Sequence, residues 1–220
     1  LIWLNDGIQP ARDRRRMSHT PQLQAEAGSR PGCESVELLA AIAGRRSVRE
    51  YTETPVDDAV LRDLIDAAIQ APSAINQQPW AFVVIKDRAL LDRISDRSKS
   101  HLLKASLGAS AHPFREMLND PKFHIFYQAP AVVVIAAAEP TDWAVEDCAL
   151  AAENLMLAAH AKGLGTCWIG FAQHWLATPD GKAALGIPAT FSPIAPIAIG
   201  HPRRQPPPVP RKAADIRWIA

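Results

Sequence analysis

Ala129-Pro-Ala-Val-Val-Val-Ile-Ala-Ala-Ala138 is the longest uninterrupted apolar run of the chain, ten residues bounded by Gln128 and Glu139. A helix crossing a bilayer needs about 20 such residues, so the run is too short to span a membrane. Its β-branched centre predicts a strand at Ala131 to Ala137, and the lack of polar alternation puts that strand under cover on both faces. Trp80-Ala-Phe-Val-Val-Ile85 repeats the pattern, and aromatic and β-branched side chains fit a pleated surface well. Between the two lie about 45 residues of helix-biased sequence broken at Pro113 and Pro121, which predict helices followed by a mobile surface segment.

Upstream, Ser35 predicts the cap of a helix through Ala43, because Val36, Leu39, Ala40 and Ala43 recur at helical spacing before Gly44. Thr54-Pro55 predicts a second helix start, proline being favoured at the first helical position. Val60, Leu61, Leu64, Ile65, Ala68 and Ile69 form its apolar stripe, up to Ala71-Pro72. Downstream, Thr141 to Lys162 predicts a helix whose second half, Ala149 to Ala159, is apolar on every side. Such a helix must be enclosed by a core or by a subunit interface. Gly163-Leu-Gly165 ends it and leads into a strand at Thr166 to Ile169, followed by a helix at about Gln173 to Leu185 and a strand at about Ala195 to Ile199. Pro202 to Pro210 carries five prolines in nine residues, which favours an extended tail lying on another surface. Helices alternating with short covered strands give an α/β or α+β sandwich around one sheet. With no repeat and no internal linker, residues 34–220 read as one domain.

The 220 residues are 48% hydrophobic and 21% charged, with 24 Lys and Arg against 23 Asp and Glu, a balance that excludes disorder as the main state. Arg12, Arg14, Arg15 and Arg16 outnumber Asp6 and Asp13 at the start, so the rest of the chain is slightly acidic and implies no basic face for nucleic acid. Residues 1–33 lack apolar periodicity and predict a mostly disordered leader, with Met17 after the Arg run as a candidate start. Leu1-Ile-Trp-Leu4 is too short for a signal-peptide core. Cys33, Cys148 and Cys167 form no C-x-x-C pair and no even set, which argues against disulfides and zinc and for a reducing, cytoplasmic setting.

Arg45-Arg-Ser-Val-Arg49 places three guanidiniums and a hydroxyl at a helix exit. A phosphate dianion takes such donors, although a solvated basic loop has the same composition. Ala71-Pro-Ser-Ala-Ile-Asn-Gln-Gln-Pro-Trp80 delivers amide side chains between a helix and a covered strand; amides pair with heterocycle edges and polyol hydroxyls, and equally satisfy turns. Gly163-Leu-Gly-Thr-Cys-Trp-Ile-Gly170 lets backbone approach a ligand closely, but it is not the G-x-G-x-x-G of a dinucleotide-binding turn. The sequence contains no H-E-x-x-H, no Walker A motif and no G-x-S-x-G, Gly108-Ala-Ser-Ala-His112 missing the last by one residue. The histidines are scattered and suggest no metal site. Asp142 and Glu146 read as partners of a helix N-terminus, Glu153 and Asn154 as buried structural hydrogen-bonders, and Cys167 as a small packed residue. No residue is assigned as a catalytic acid or base.

In their order and spacing, the Arg45, Ala71 and Gly163 segments, together with Pro210-Arg-Lys212, resemble the nitroreductase family of flavin enzymes over about residues 36–218. The resemblance implies an α+β fold with a mixed, mainly antiparallel sheet flanked by helices, and an intertwined homodimer with FMN in two sites built from both subunits. It aligns Arg45 and Ser47 with phosphate and ribityl binders, puts Arg46 among the cofactor-binding residues, and matches Arg211 to a C-terminal cation that closes on the phosphate. Arg49 aligns with the cation at the flavin N1/O2 edge. Pro72, Ser73, Ala74 and Asn76 match the segment that a second subunit lays against the flavin. Trp168, Ile169 and Gly170 match a strand end beside the isoalloxazine, with an N–H near N5. Trp168 is bulkier than its counterpart in many relatives, and the 95–125 stretch, where a substrate lid would lie, diverges.

The implied activity is a ping-pong transfer of hydride from NADH or NADPH to a nitroaromatic, quinone or similar electron-poor acceptor. Flavin-fragmenting and reductive-dehalogenating branches of the same fold are alternatives, as is a non-catalytic flavin-binding sensor or carrier. The tail at 202–220 is expected to extend over the partner subunit. No nucleic-acid or membrane partner is implied.

Overall fold

The computed structural model describes residues 37–105, 114–139 and 141–219. The leader expected at 1–33 and the helix cap expected at Ser35 lie outside the described residues. Strands β1 (Trp80–Ile85), β2 (Ala131–Ala137), β3 (Gly165–Trp168) and β4 (Ser192–Gly200) form one antiparallel sheet in the order β1-β2-β4-β3. A parallel bridge between Ser47 and Thr166 extends its β3 edge and makes it mixed.

Every residue of β2 is buried, as its unbroken apolar sequence requires. Its side chains alternate between two cores. Ala131, Val133 and Ile135 pack beneath helices α2 (Asp58–Ala68) and α5 (Ala144–Ala161). Val132 and Val134 face the other way, toward α3 (Arg88–Ala105), α6 (Gly170–Leu176) and α7 (Pro179–Leu185). The molecule is thus helix, sheet, helix, with α1 (Leu38–Gly44) against α5 and α4 (Arg115–Asn119) beside α3. Among the described residues, no helix is long and apolar enough to cross a membrane.

Several boundaries differ from the sequence expectation for local physical reasons. The second helix starts at Asp58, not at Pro55, because Val56 turns inward to 1% exposure before the helix begins. The segment expected as one helix over 173–185 is two: the Thr178 hydroxyl accepts from Gly181 N at 3.1 Å and Pro179 opens α7. Those two residues cap a new helix and interrupt the preceding one. Strand β4 is longer than expected and runs through Pro193 and Pro196 as an inner strand. A register shift between Ile135 and Ala136 accommodates them, since a proline lacks the N–H that a regular ladder needs. Helix α5 is enclosed on most sides, yet Val145 and Leu150 are exposed in the single chain, so its all-round apolar sequence is only partly explained by the core.

Candidate functional site

Downstream of α1 the chain stays extended and lies parallel to β3. Val48 N donates to Thr166 O at 2.9 Å, and the buried Val48 side chain occupies the space that any side chain at Gly165 would need: a Cβ there would sit 2.6 Å from Val48 Cγ2. With Val48 directed inward, Ser47 and Arg49 on either side of it are exposed. Arg45 Nε pairs with Glu153 Oε1 at 3.2 Å, and the Glu153 side chain is 46% exposed. Glu153 is therefore not the buried structural group expected from sequence; it reaches out of α5 to hold Arg45. Asn154 does act structurally, its Nδ2 donating to Ala67 O at 3.3 Å. Arg46 turns back on α1, donating from Nη1 to Ala43 O at 2.7 Å and to Arg45 O at 2.8 Å. It satisfies carbonyls that the helix end leaves free, while its Nε is buried without a partner. His160 lies against Gly44, where a Cβ would come within 2.7 Å of its Nε2. Burial, and then the charges of Arg45 and Arg46, hold the imidazole below its usual pKa.

Arg49 stands at the junction of two cavities. One, of about 430 Å³, is walled by Tyr127, Cys167, the Trp168–Phe171 segment, Phe114 and Met117. Its aromatic side is built from edge-to-face contacts, Phe114 to Phe171 at 5.4 Å and Phe123 to Tyr127 at 5.8 Å. The Arg49 guanidinium lies 5.9 Å from the Tyr127 ring centre, close enough for a cation–π attraction. The other cavity, of about 380 Å³, lies between Ser47–Glu50 and Arg204–Pro207. Here the root of the tail is latched to the 50–52 segment: Thr52 N donates to His201 O and Arg203 N to Glu50 O, both at 2.9 Å, and Arg204 pairs with Glu50 at 2.5 Å.

Backbone donors beside the larger cavity are not equivalent. Ile169 N is committed to Pro196 O at 2.8 Å, whereas Gly170 opens α6, so its N–H has no acceptor within that helix. A Cβ built on Gly170 meets nothing within 4 Å. Burial raises the pKa of the Cys167 thiol, although Arg49, Ser47 and Arg45 act in the opposite direction. It is a buried, neutral wall residue, in keeping with its reading as a packed side chain. Among the described residues, no cluster of His, Cys, Asp or Glu could hold a metal ion.

Arg45–Arg49, Trp168–Gly170 and the tail root are thus gathered at one end of β3. Pro72–Asn76 is held elsewhere on α5. Ala74 N donates to Asp147 Oδ1 at 3.0 Å, whereas Arg45 meets α5 at Glu153, about 9 Å further along the axis and on a different face. Arg211 stands on the exposed tail, outside any helix or strand. Tyr127, Phe114, Met117 and Phe171 carry no motif, and the 204–207 segment stands out in the sequence only as part of the proline-rich tail. Tyr127 and Gln128 adopt φ of 53° and 59° without being glycine, so nothing in their composition announces the turn that aims Tyr127 at Arg49.

The model of the nitroreductase family matches residues 42–201. A protein of Archaeoglobus fulgidus provisionally named NADH dehydrogenase/NAD(P)H nitroreductase is 31% identical over 172 residues, 76% of this chain and 86% of its own length. A protein of the same provisional name from Methanothermobacter thermautotrophicus is 29% identical over 176 residues, 78% of this chain and 80% of its own. The crystal structure of a nitroreductase with bound FMN from Bacteroides fragilis superposes with a TM-score of 0.74 at 28% identity, covering 84% of this chain and 100% of that one. The matched span runs from the end of α1 to the start of the tail root and contains the parallel bridge, the whole sheet and the aromatic-walled cavity, but only the Ser47–Glu50 wall of the other. On sequence and on fold alike, the chain belongs to the nitroreductase family.

Proposed function

We propose that this protein is an FMN-dependent oxidoreductase that takes hydride from NADH or NADPH and reduces a nitroaromatic, quinone or similar electron-poor acceptor in a ping-pong cycle. The observation that carries this reading is the position of Arg49 between an aromatic-walled cavity and a polar one. The names of the relatives support the electron donor, and the FMN in the Bacteroides fragilis structure supports the cofactor. The chain's own residues fit that cofactor. A flat heterocycle suits the 430 Å³ space, the open volume at Gly170 leaves room for it, and exposed Ser47 with part-exposed Arg45 offers a hydroxyl and a cation to a phosphate.

FMN, when bound, supplies the hydride chemistry, and the protein supplies orientation and electrostatics. Arg45 and Ser47 would hold the phosphate and ribityl end, with Arg211 as a further cation for the phosphate. Arg46 fixes the end of α1, so that Arg45 and Ser47 leave the helix in a set direction. Arg49 would set a fixed positive charge beside the ring, where it would favour negative charge gathered on reduction, and a preorganised charge of this kind is worth most in a site shielded from water. Trp168 forms the wall, and Gly170 N–H is the donor left for the ring edge because that of Ile169 is engaged. No side chain of the chain is required as an acid or base.

The site is completed in a homodimer, a second copy supplying Pro72, Ser73, Ala74 and Asn76. Leu38, Leu39 and Ile42 of α1 and Val145 and Leu150 of α5 support this, being 47–75% exposed in the single chain; clustered apolar exposure of this kind marks an association surface. The test is the visible absorbance of the purified protein, followed by NADH or NADPH under anaerobic conditions. Flavin bands that bleach are expected. Bands that persist with both nucleotides would make the protein a flavin carrier, and no flavin uptake would remove the reading altogether. Arg45→Ala with Arg211→Ala is expected to give a folded, colourless dimer; stoichiometric FMN in that variant would refute the phosphate assignment.

A further inference from the structure

The turn Ala74–Asn76 is built against its own backbone preferences. Ile75, Asn76 and Gln78 have φ of 44°, 58° and 49°, and for a β-branched residue such as Ile75 this region is a genuine outlier. Strain of this kind persists only where the surroundings over-determine it. Ser73, at the cap position of the turn, does not cap it; its Oγ instead accepts from Gln78 N at 2.9 Å, while Gln78 Nε2 donates to Asn76 Oδ1 at 2.9 Å. The first N–H of the turn, that of Ala74, is met from another element by Asp147 Oδ1 at 3.0 Å.

Asp147 is only 3% exposed, and its second oxygen, Oδ2, is buried without a partner. A buried carboxylate with one hydrogen bond is poor value as packing, because its desolvation is costly. Its neighbours Ala144, Cys148 and Ala151 are apolar and buried, so an alkyl side chain could pack there. The N-terminal turn of α5 makes the charge tolerable, and the adjacent thiol shows its influence: burial, together with the Asp147 charge, pushes the Cys148 pKa up to about 12.

We propose that Asp147 is a positioning residue for cofactor binding. Its carboxylate caps the strained Ser73–Gln78 turn from α5 and so presents Pro72, Ser73, Ala74 and Asn76 in the shape that meets the flavin. This rests on the flavin reading given above, while the action of Asp147 on its own turn does not. Asp147→Ala in the full-length protein is expected to speed hydrogen exchange of the 73–78 amides at least tenfold in the apoprotein and to weaken FMN binding, read by flavin fluorescence, at least tenfold. Asp147→Asn, which keeps an acceptor oxygen, is expected to recover most of both losses. Ile75→Gly relieves the strain, so in that background Asp147→Ala is expected to cost less than it does alone, a coupling that a merely structural carboxylate would not show.

Unchanged exchange and unchanged FMN affinity in Asp147→Ala would overturn the proposal, as would faster exchange with unchanged affinity. Should Asp147→Ala not fold, Asp147→Leu, which fills the buried space without an acceptor, is read in its place: turn exchange at least tenfold faster supports the proposal and unchanged exchange overturns it. A wild-type protein that takes up no FMN would instead defeat the flavin reading, and the exchange measurement would still report whether Asp147 holds the turn.

Discussion

Gly170 and Gly165 sit at either end of β3 for opposite reasons. The space beside Gly165 is filled by Val48, and the space beside Gly170 is open. Gly170→Leu is therefore expected to leave the apoprotein within about 0.5 kcal/mol of wild type in urea denaturation, as a substitution into open space should. The same leucine is expected to cost FMN at least tenfold in affinity, or about 1.4 kcal/mol, by filling the room the ring needs. Full affinity in that variant would show that the ring does not lie against Gly170. At this scale the Arg45–Arg49 pattern marked a segment that the structure does gather at one end of β3, beside Trp168–Gly170. The sequence was not legible where one side chain has several possible partners. A guanidinium can bind phosphate or cap a helix, and only the path of the chain turns Arg46 back on α1. Glu153 sits in an apolar stretch, and only the packing of α1 on α5 shows that its tip reaches Arg45 and water.

Elements join the fold to the site through β3, which carries the cavity wall at one end and Gly165 at the other. Gly165→Ala drives a methyl group into Val48, and overpacking of this kind costs about 1–3 kcal/mol. Its effect should be visible both as a lower denaturation midpoint and as weakened FMN binding, because the same displacement moves Ser47 and Arg49. Adding Val48→Ala to it makes room and should return part of the stability. If the two changes are simply additive, the contact is not the one that sets the path of the 45–49 segment. The bounds of β1 and β2 were readable to the residue, but of the two only β2 is covered on both faces. β1 is the edge strand of the sheet, where Ile85 alone is buried and Val84 is 42% exposed, because a run of apolar residues does not say which strand has a neighbour on each side. Helix starts were less readable. Thr54-Pro55 is a good start in isolation, and burial of Val56 moves the true start three residues on. At β4 the prolines hid the ends of the strand; the ladder continues with a register shift in β4 itself that leaves Ile194, beside Pro193, without a partner in β2.

The molecule as described leaves much apolar surface open, with Ile216, Trp218 and Ile219 on the tail 62–98% exposed in addition to the α1 and α5 patch. Removing residues 209–220 keeps the latch at Arg203 and Arg204 but takes away Arg211 and the apolar end of the tail. The truncated protein is expected to dissociate at lower dilution in light scattering and to lose most of its FMN. A stable dimer with unchanged FMN content would assign the tail no part in either. The proposed two-subunit site is what a single sequence conveys least directly, because motifs appear in chain order while Pro72–Asn76 and Arg45 meet α5 on different faces of one copy.

The latch itself bears on biosynthesis. It ties residues 50–52 to 201–203, joining the second segment of the domain to one near its end. During translation Ser47 and Arg49 emerge early, yet the cavity they share with Arg204–Pro207 has no second wall until the final strand has been made. A nascent chain stalled before β4 thus exposes Ser47 and Arg49 without the pocket they line, and on the proposed reading cofactor capture becomes one of the last events in the maturation of the protein.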